Sequence, residues 1–237
     1  MLNAFAQRGG SFMVLRNYTD PLDCPNYLSL LRNYGIMPLP GIVVAGEEDI
    51  GSYFQNELIY LLPYMNEMDM TLPLIAGQMD VLLLAGAAGF QSPPAGTASL
   101  NALTVLQTGS NAYVRDPSDG NTSIEKQPGD ISGEISLALY SQRMHPSGDI
   151  SRMFAIGNSS LFTNEYVYQI TFNEEFILQV LGQLLPQRMV SLDIMVTSAF
   201  RAGLRPGGQT LGLALIIAMP VLTLLAALCV LLPRRRR

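Results

Sequence analysis

The feature that most constrains this chain is the run from Leu211 to Leu232, LGLALIIAMPVLTLLAALCVLL, followed by Pro233 and Arg234, Arg235, Arg236 and Arg237. No charged residue interrupts the run. As a helix at ~1.5 Å per residue it reaches ~33 Å, enough to cross a hydrocarbon core. Thr223 is the one hydroxyl inside it and Pro220 breaks its middle. The sequence therefore predicts a single transmembrane helix in the lipid bilayer at 211–232. A juxtamembrane stalk at 190–210 precedes it and a basic tail at 233–237 follows. Gly212, Ala214, Ala218, Ala226 and Ala227 would allow close helix packing, and Pro220 would free a backbone carbonyl and bend the helix.

Charge sets the direction of that span. Arg201 and Arg205 precede it and four arginines follow. The positive-inside bias places the C-terminus in the cytoplasm and residues 1–189 outside the cell membrane. A tail anchor with a cytosolic domain is the competing topology. Four of the 14 basic residues are that tail, leaving 10 against 19 acidic ones. An acidic remainder argues against nucleic acid as a partner, which needs a basic face. Cys24 and Cys229 are the two cysteines, and one of them sits in the span, so no disulfide framework is expected.

The first 189 residues read as an α/β domain. Phe12–Leu15, Ile42–Ala45, Val81–Ala85, Leu100–Leu106, Glu134–Tyr140 and Met153–Ile156 have the apolar or alternating character of strands. Tyr27, Leu30, Leu31 and Tyr34 share one helical face, with Pro25 in the first turn and Gly35 as a stop. A second helix follows Asn173, which is placed to cap it. Glu174 and Glu175 suit its positive end, and Phe176, Ile177, Val180, Leu181 and Leu184 line its apolar face. Ser110–Asp130 reads as a polar, exposed excursion, and the stretch up to Tyr64 is ambiguous. Strands alternating with helices predict a layered, mainly parallel sheet, flavodoxin-like or glutamine-amidotransferase-like.

Four segments resemble the GldG-like auxiliary family of ABC-type transport systems, a family named for gliding motility. "GGSFMVLRN" leads into "PNYLSLLRNYGI" and "PGIVV". "SLNALTVLQTGSNAYVRD" is similar to a second family segment. "RMFAIGNSSLFTNEYV" is similar to the family's turn after a strand and is followed by the helix "NEEFILQVLGQLLP". The stalk, span and arginine cluster close the likeness. Where the family's turn often reads GDSDF, this chain has Gly157-Asn158-Ser159-Ser160-Leu161-Phe162, which removes both acids. The resemblance implies a non-catalytic auxiliary subunit that recognises a substrate or scaffolds a partner. A multispan ABC permease and a separate ABC ATPase would be its partners, and an envelope substrate its cargo. It also implies an earlier βαβ portion, hence an N-terminally truncated or split reading frame.

The residues offer few chemical constellations. Asp20, Asp23 and Cys24 lie in the loop after the first strand, where an open α/β sheet forms its ligand crevice. Gly157, Asn158 and Ser159 form a turn that can hold an anion on backbone N–H groups. A nucleophilic Cys24 needs a base, and the single histidine, His145, reads as a solvent-facing turn residue. Glu47, Glu48 and Asp49 read as a solvated loop. There is no G-x-S-x-G elbow, HExxH motif, paired metal-ligand spacing or Walker A sequence. The expectation is therefore no enzyme activity, no cofactor and no metal. A degenerate glutamine-amidotransferase-like or hydrolase-like enzyme, or a structural or sensory anchor, is the alternative.

Overall fold

The computed structural model describes residues 2–93, 96, 98–116, 123–163 and 172–185. The chain divides between Met189 and Val190, and every described residue belongs to the first unit. The strands are β1 (Ser11–Leu15), β2 (Ile42–Val44), β3 (Tyr53–Phe54), β4 (Glu57–Leu61), β5 (Tyr64–Met65) and β6 (Leu84–Ala85). They continue with β7 (Leu100–Gln107), β8 (Tyr113–Arg115), β9 (Ile131–Ser132), β10 (Ser136–Met144) and β11 (Ile150–Ile156). Among the described residues the α-helices are α1 (Leu2–Ala6), α2 (Pro25–Arg32), α3 (Leu72–Ala76) and α4 (Asn173–Leu184).

The expected layered, mainly parallel α/β sheet is corrected by the strand pairing. The central sheet has the order β1-β11-β10-β7-β5, and two three-stranded sheets run β2-β8-β9 and β3-β4-β6. Among the described strands only β1 and β11 pair in parallel, and the other paired neighbours are antiparallel. The connection between β10 and β11 is the short turn from His145 to Asp149, in which His145 N–H donates to Asp149 O at 2.9 Å. A parallel pair needs a crossover of a dozen or more residues, so this turn dictates a hairpin.

The misreading has a physical source. The centre of the main sheet is covered on both faces. Phe154 and Ile156 of β11, with Ala138 and Tyr140 of β10, pack in one core with Phe176, Val180 and Leu184 of α4 and Leu74 of α3. The alternate residues Met153, Ala155 and Leu139 pack in a second core with Leu31, Tyr34 and Ile36. A strand buried on both faces loses its polar alternation whichever way its neighbours run, so MFAI and LALY look like parallel-sheet strands. Both cores exclude water from large side chains, at ~25 cal/mol per Å² of apolar surface removed.

Other elements differ in detail. The ambiguous stretch before Tyr64 holds the hairpin β3–β4, turned by Gln55 and Asn56 at φ 52° and 64°. Two successive positive φ values mark the type I′ geometry that suits strand twist. The expected polar excursion at 110–130 contains β8, buried along its length. Asn173 does not cap α4. It is the helix's first residue, fully buried, and its Oδ1 accepts from Leu83 N–H at 3.2 Å.

The expected single-pass placement in the cytoplasmic membrane, with the domain outside, is also corrected. Among the described residues no helix is long and apolar enough to cross a membrane. The longest, α4, has 12 residues, against the ~20 that a bilayer requires. Residues 211–232 lie outside the described residues, and with them Gly212, Ala218, Pro220 and Arg234, Arg235, Arg236 and Arg237. The stalk at 190–210 does too.

Candidate functional site

Because β1 and β11 are parallel, their C-terminal ends emerge on the same edge of the sheet. The loop after β1 carries Asp20 and Asp23, and the turn after β11 carries Gly157, Asn158 and Ser159. The fold brings these two segments together through one side chain. Asn17 Oδ1 accepts from Ser159 N–H at 3.1 Å and from Ser159 Oγ–H at 2.8 Å. Asn17 also forms an isolated antiparallel bridge with Ala87. Its N–H donates to Asp20 Oδ2 at 2.8 Å, and Asp20 N–H returns a bond to Asn17 O at 3.1 Å. Asp23 is exposed on the same loop.

The turn after β11 is a strut rather than an open anion nest. Asn158 is buried, donating from Nδ2 to Ala85 O at 2.6 Å. Its Oδ1 accepts from Leu161 N–H at 2.9 Å and from Ser160 Oγ–H at 2.6 Å. Gly157 N–H donates to Leu137 O and Gly157 O accepts from Ala88 N–H. A Cβ on Gly157 would lie 2.7 Å from the Ala88 carbonyl carbon, so only glycine permits this approach. The N–H groups of Gly157, Ser159 and Leu161 are thus spent on the fold itself.

The free donors belong to a neighbour that the sequence reading passed over. Arg16 follows β1 directly, and its N–H donates to Ile156 O at 2.9 Å. Its side chain is 1% exposed, and Nε and Nη1 have no hydrogen-bond partner. Burial pushes the guanidinium pKa below its ordinary value, while the nearby Tyr27 and Asp20 pull the other way. Burial likewise raises the Tyr27 hydroxyl, opposed by Arg16. One sequence signal points to Arg16: an arginine closing an apolar strand, ahead of two aspartates.

The structure does not bring Cys24 and His145 together. Cys24 is exposed and immediately precedes α2, in the loop that follows the C-terminal end of β1. His145 sits in the β10–β11 turn at the start of β11, the opposite end of the sheet. It is half-buried rather than solvent-facing, with Nε2 2.7 Å from Ser151 Oγ. Ser151 is fully buried and also receives the Tyr34 hydroxyl at 2.7 Å. A serine sealed from solvent at both contacts pins the hairpin onto the helical layer. Asp49 is equally committed: its carboxylate accepts from Asn111 N–H at 3.0 Å and Asn111 Nδ2–H at 2.8 Å. Among the described residues no group of three His, Cys, Asp or Glu side chains is placed to hold a metal ion. A cavity of about 690 Å³ lies at the N-terminal ends of β1 and β11, between Phe5, Arg8, Ile150, Arg152 and Leu184. None of the residues expected to bind a ligand lines it.

No known family model matches the chain, and no curated protein sequence does. Among solved structures, the mmIFT52 N-terminal domain is similar in fold. It superposes with a TM-score of 0.50 over 77% of this chain and 68% of that one, at 16% identity. At that identity the likeness concerns the fold alone.

Proposed function

We propose that this chain is a non-catalytic auxiliary component that recognises a ligand or braces a partner within an ABC-type transport system. The observation that carries the recognition reading is the polar cluster at the C-terminal ends of β1 and β11. It is held by the Asn17–Ser159 and Asn158–Ala85 hydrogen bonds, and it adjoins the buried, unpartnered guanidinium of Arg16. A fixed polar cluster without a paired nucleophile and base suits binding better than bond breaking. The transport context rests on the four-segment resemblance to GldG-like proteins. The partners would be a multispan permease and a separate ATPase.

Affinity purification of the tagged full chain from its own cells tests this reading. An ABC ATPase and a multispan permease should co-purify in fixed ratio. Recovery of the chain without either, under conditions that keep other transporter complexes intact, would overturn the assignment. The alternative enzyme built on Cys24 and His145 has no geometric support, since the two residues lie at opposite ends of the sheet.

A further inference from the structure

Arg16 is a charged group whose surroundings leave its chemistry unfinished. A guanidinium stays protonated in proteins and carries five N–H donors. Burying such a charge without partners is costly, so buried arginines are normally paired with carboxylate or phosphate groups. Here the side chain is 1% exposed, with Nε and Nη1 unpartnered. The nearby anion, Asp20, is itself exposed and spends Oδ2 on the Asn17 N–H rather than on Arg16.

The two segments next to Arg16 are held differently. One side is the strut of Asn17, Asn158 and Ser159, bonded to Ala85 O at 2.6 Å and bridged to Ala87. The other is the loop leading to α2, in which Thr19, Asp20, Pro21, Asp23 and Cys24 are all exposed. The loop turns on the reciprocal Asn17–Asp20 hydrogen bonds, and its far end joins α2 through Leu28 N–H to Cys24 O. A segment with few buried contacts opens at low cost, whereas the strut does not.

We propose that Arg16 is a ligand-binding residue at this end of the sheet and that the ligand presents an oxyanion, a carboxylate or a phosphate, admitted as the Thr19–Cys24 loop moves aside. The inference deepens the recognition reading and rests on it for its biological context. The fork of N–H donors matches the oxygen spacing of both groups, whereas a neutral amide or a cation would leave the buried charge uncompensated. Asp20 acts against the ligand, as a resident negative charge that must withdraw. The lowered proton affinity of Arg16 is consistent with a site that lacks a fully engaged anion.

The test uses the purified full chain and three probes: inorganic phosphate, acetate and succinate, each compared with chloride at matched ionic strength. Thermal unfolding and the Arg16 Nε–Hε resonance in nitrogen-edited NMR are followed through each titration. At least one oxyanion should raise the melting temperature with concentration and shift that resonance, while chloride does neither. The order of phosphate against the two carboxylates identifies the source. Arg16→Met should abolish the response, and Arg16→Lys should weaken it about tenfold because the fork is lost. Asp20→Asn should tighten binding about fivefold by removing a nearby negative charge. An equal response in wild type and Arg16→Met would overturn the proposal. So would the absence of any response to all three probes up to about 50 mM in wild type. Should Arg16→Met fail to fold, the wild-type resonance titration and the Asp20→Asn comparison decide. Failure here leaves co-purification with the ATPase and permease untouched, so the two readings fall separately.

Discussion

Replacing Gly157 with alanine tests the joint between β11 and the Ala85–Ala88 segment. The added Cβ would overlap the Ala88 carbonyl, lying 2.7 Å from its carbon and 3.2 Å from Ala88 Cα. Backbone rather than a flexible side chain stands in the way, so β11 and the Ala85–Ala88 segment must part by about an ångström. Two short hydrogen bonds stretch when they do: Ala88 N–H to Gly157 O and Asn158 Nδ2–H to Ala85 O, both 2.6 Å now. Leaving such groups unsatisfied costs about 1–3 kcal/mol each, so the substitution should destabilise the domain by about 3–4 kcal/mol. For a domain of this size each kcal/mol lowers the melting temperature by about 2–4 °C, giving a fall of roughly 6–16 °C. Urea unfolding followed by tyrosine fluorescence and circular dichroism measures the change. The denaturant slope should stay constant while the midpoint moves. A loss below about 1 kcal/mol would refute the reasoning, because typical surface substitutions reach about half that value.

Further outcomes follow from other buried groups. Burial raises the hydroxyl pKa of Tyr34, opposed by its Ser151 bond and by Arg143; burial also raises Tyr27 and Tyr113. The native state therefore holds protons that the unfolded chain releases above pH ~10, so stability is full below that pH and falls as pH rises beyond it. Tyr34→Phe should make the fall between pH 9 and 11 shallower in a series of urea melts; an unchanged slope would remove Tyr34 from the account. Asp130→Ala strips the Arg115 guanidinium of a partner at 3.4 Å, where both side chains are under a tenth exposed. It should cost about 3 kcal/mol, read by the same melts, with Asp130→Asn losing less. Asp49→Ala should cost about 1 kcal/mol by releasing the Asn111 N–H and Nδ2 bonds. Calcium or EDTA should leave the melting temperature of the wild type unchanged, since this carboxylate is a loop clamp.

The elements that sequence pattern revealed are those whose signals are local. Pro25 and Gly35 bracket α2 because one fits a first helical turn and the other takes φ 70° after the helix. The spacing of Phe176, Val180 and Leu184 fixes α4 and its buried face. Strand direction was not legible, because it depends on which strands meet and not on what each contains. MFAI and LALY are apolar on consecutive residues for the same reason in a hairpin as in a crossover: α4 and α3 cover one face, and the α2 segment covers the other. The short β3–β4 hairpin escaped notice because Gln55-Asn56 supplies positive φ without the Asn-Gly signature.

The two loops lie at one end of the sheet for a topological reason that does not depend on the fold class. Placing Asp20 and Asp23 near the Gly157–Ser159 turn requires only that β1 and β11 be adjacent and parallel, and among the described strands they are the one pair that is. The remaining strands could turn antiparallel without moving either loop. What the pattern could not disclose is the electrostatic centre between those loops. An arginine after an apolar tetrapeptide reads as the first solvated residue of a loop. Its burial arises only when the chain returns over it, placing Tyr27 and Asp20 near a guanidinium that neither fully satisfies. A turn bearing aspartates beside Arg16 would offer internal partners for its charge, whereas Asn158 and Ser159 spend their polar atoms on the backbone and on Asn17.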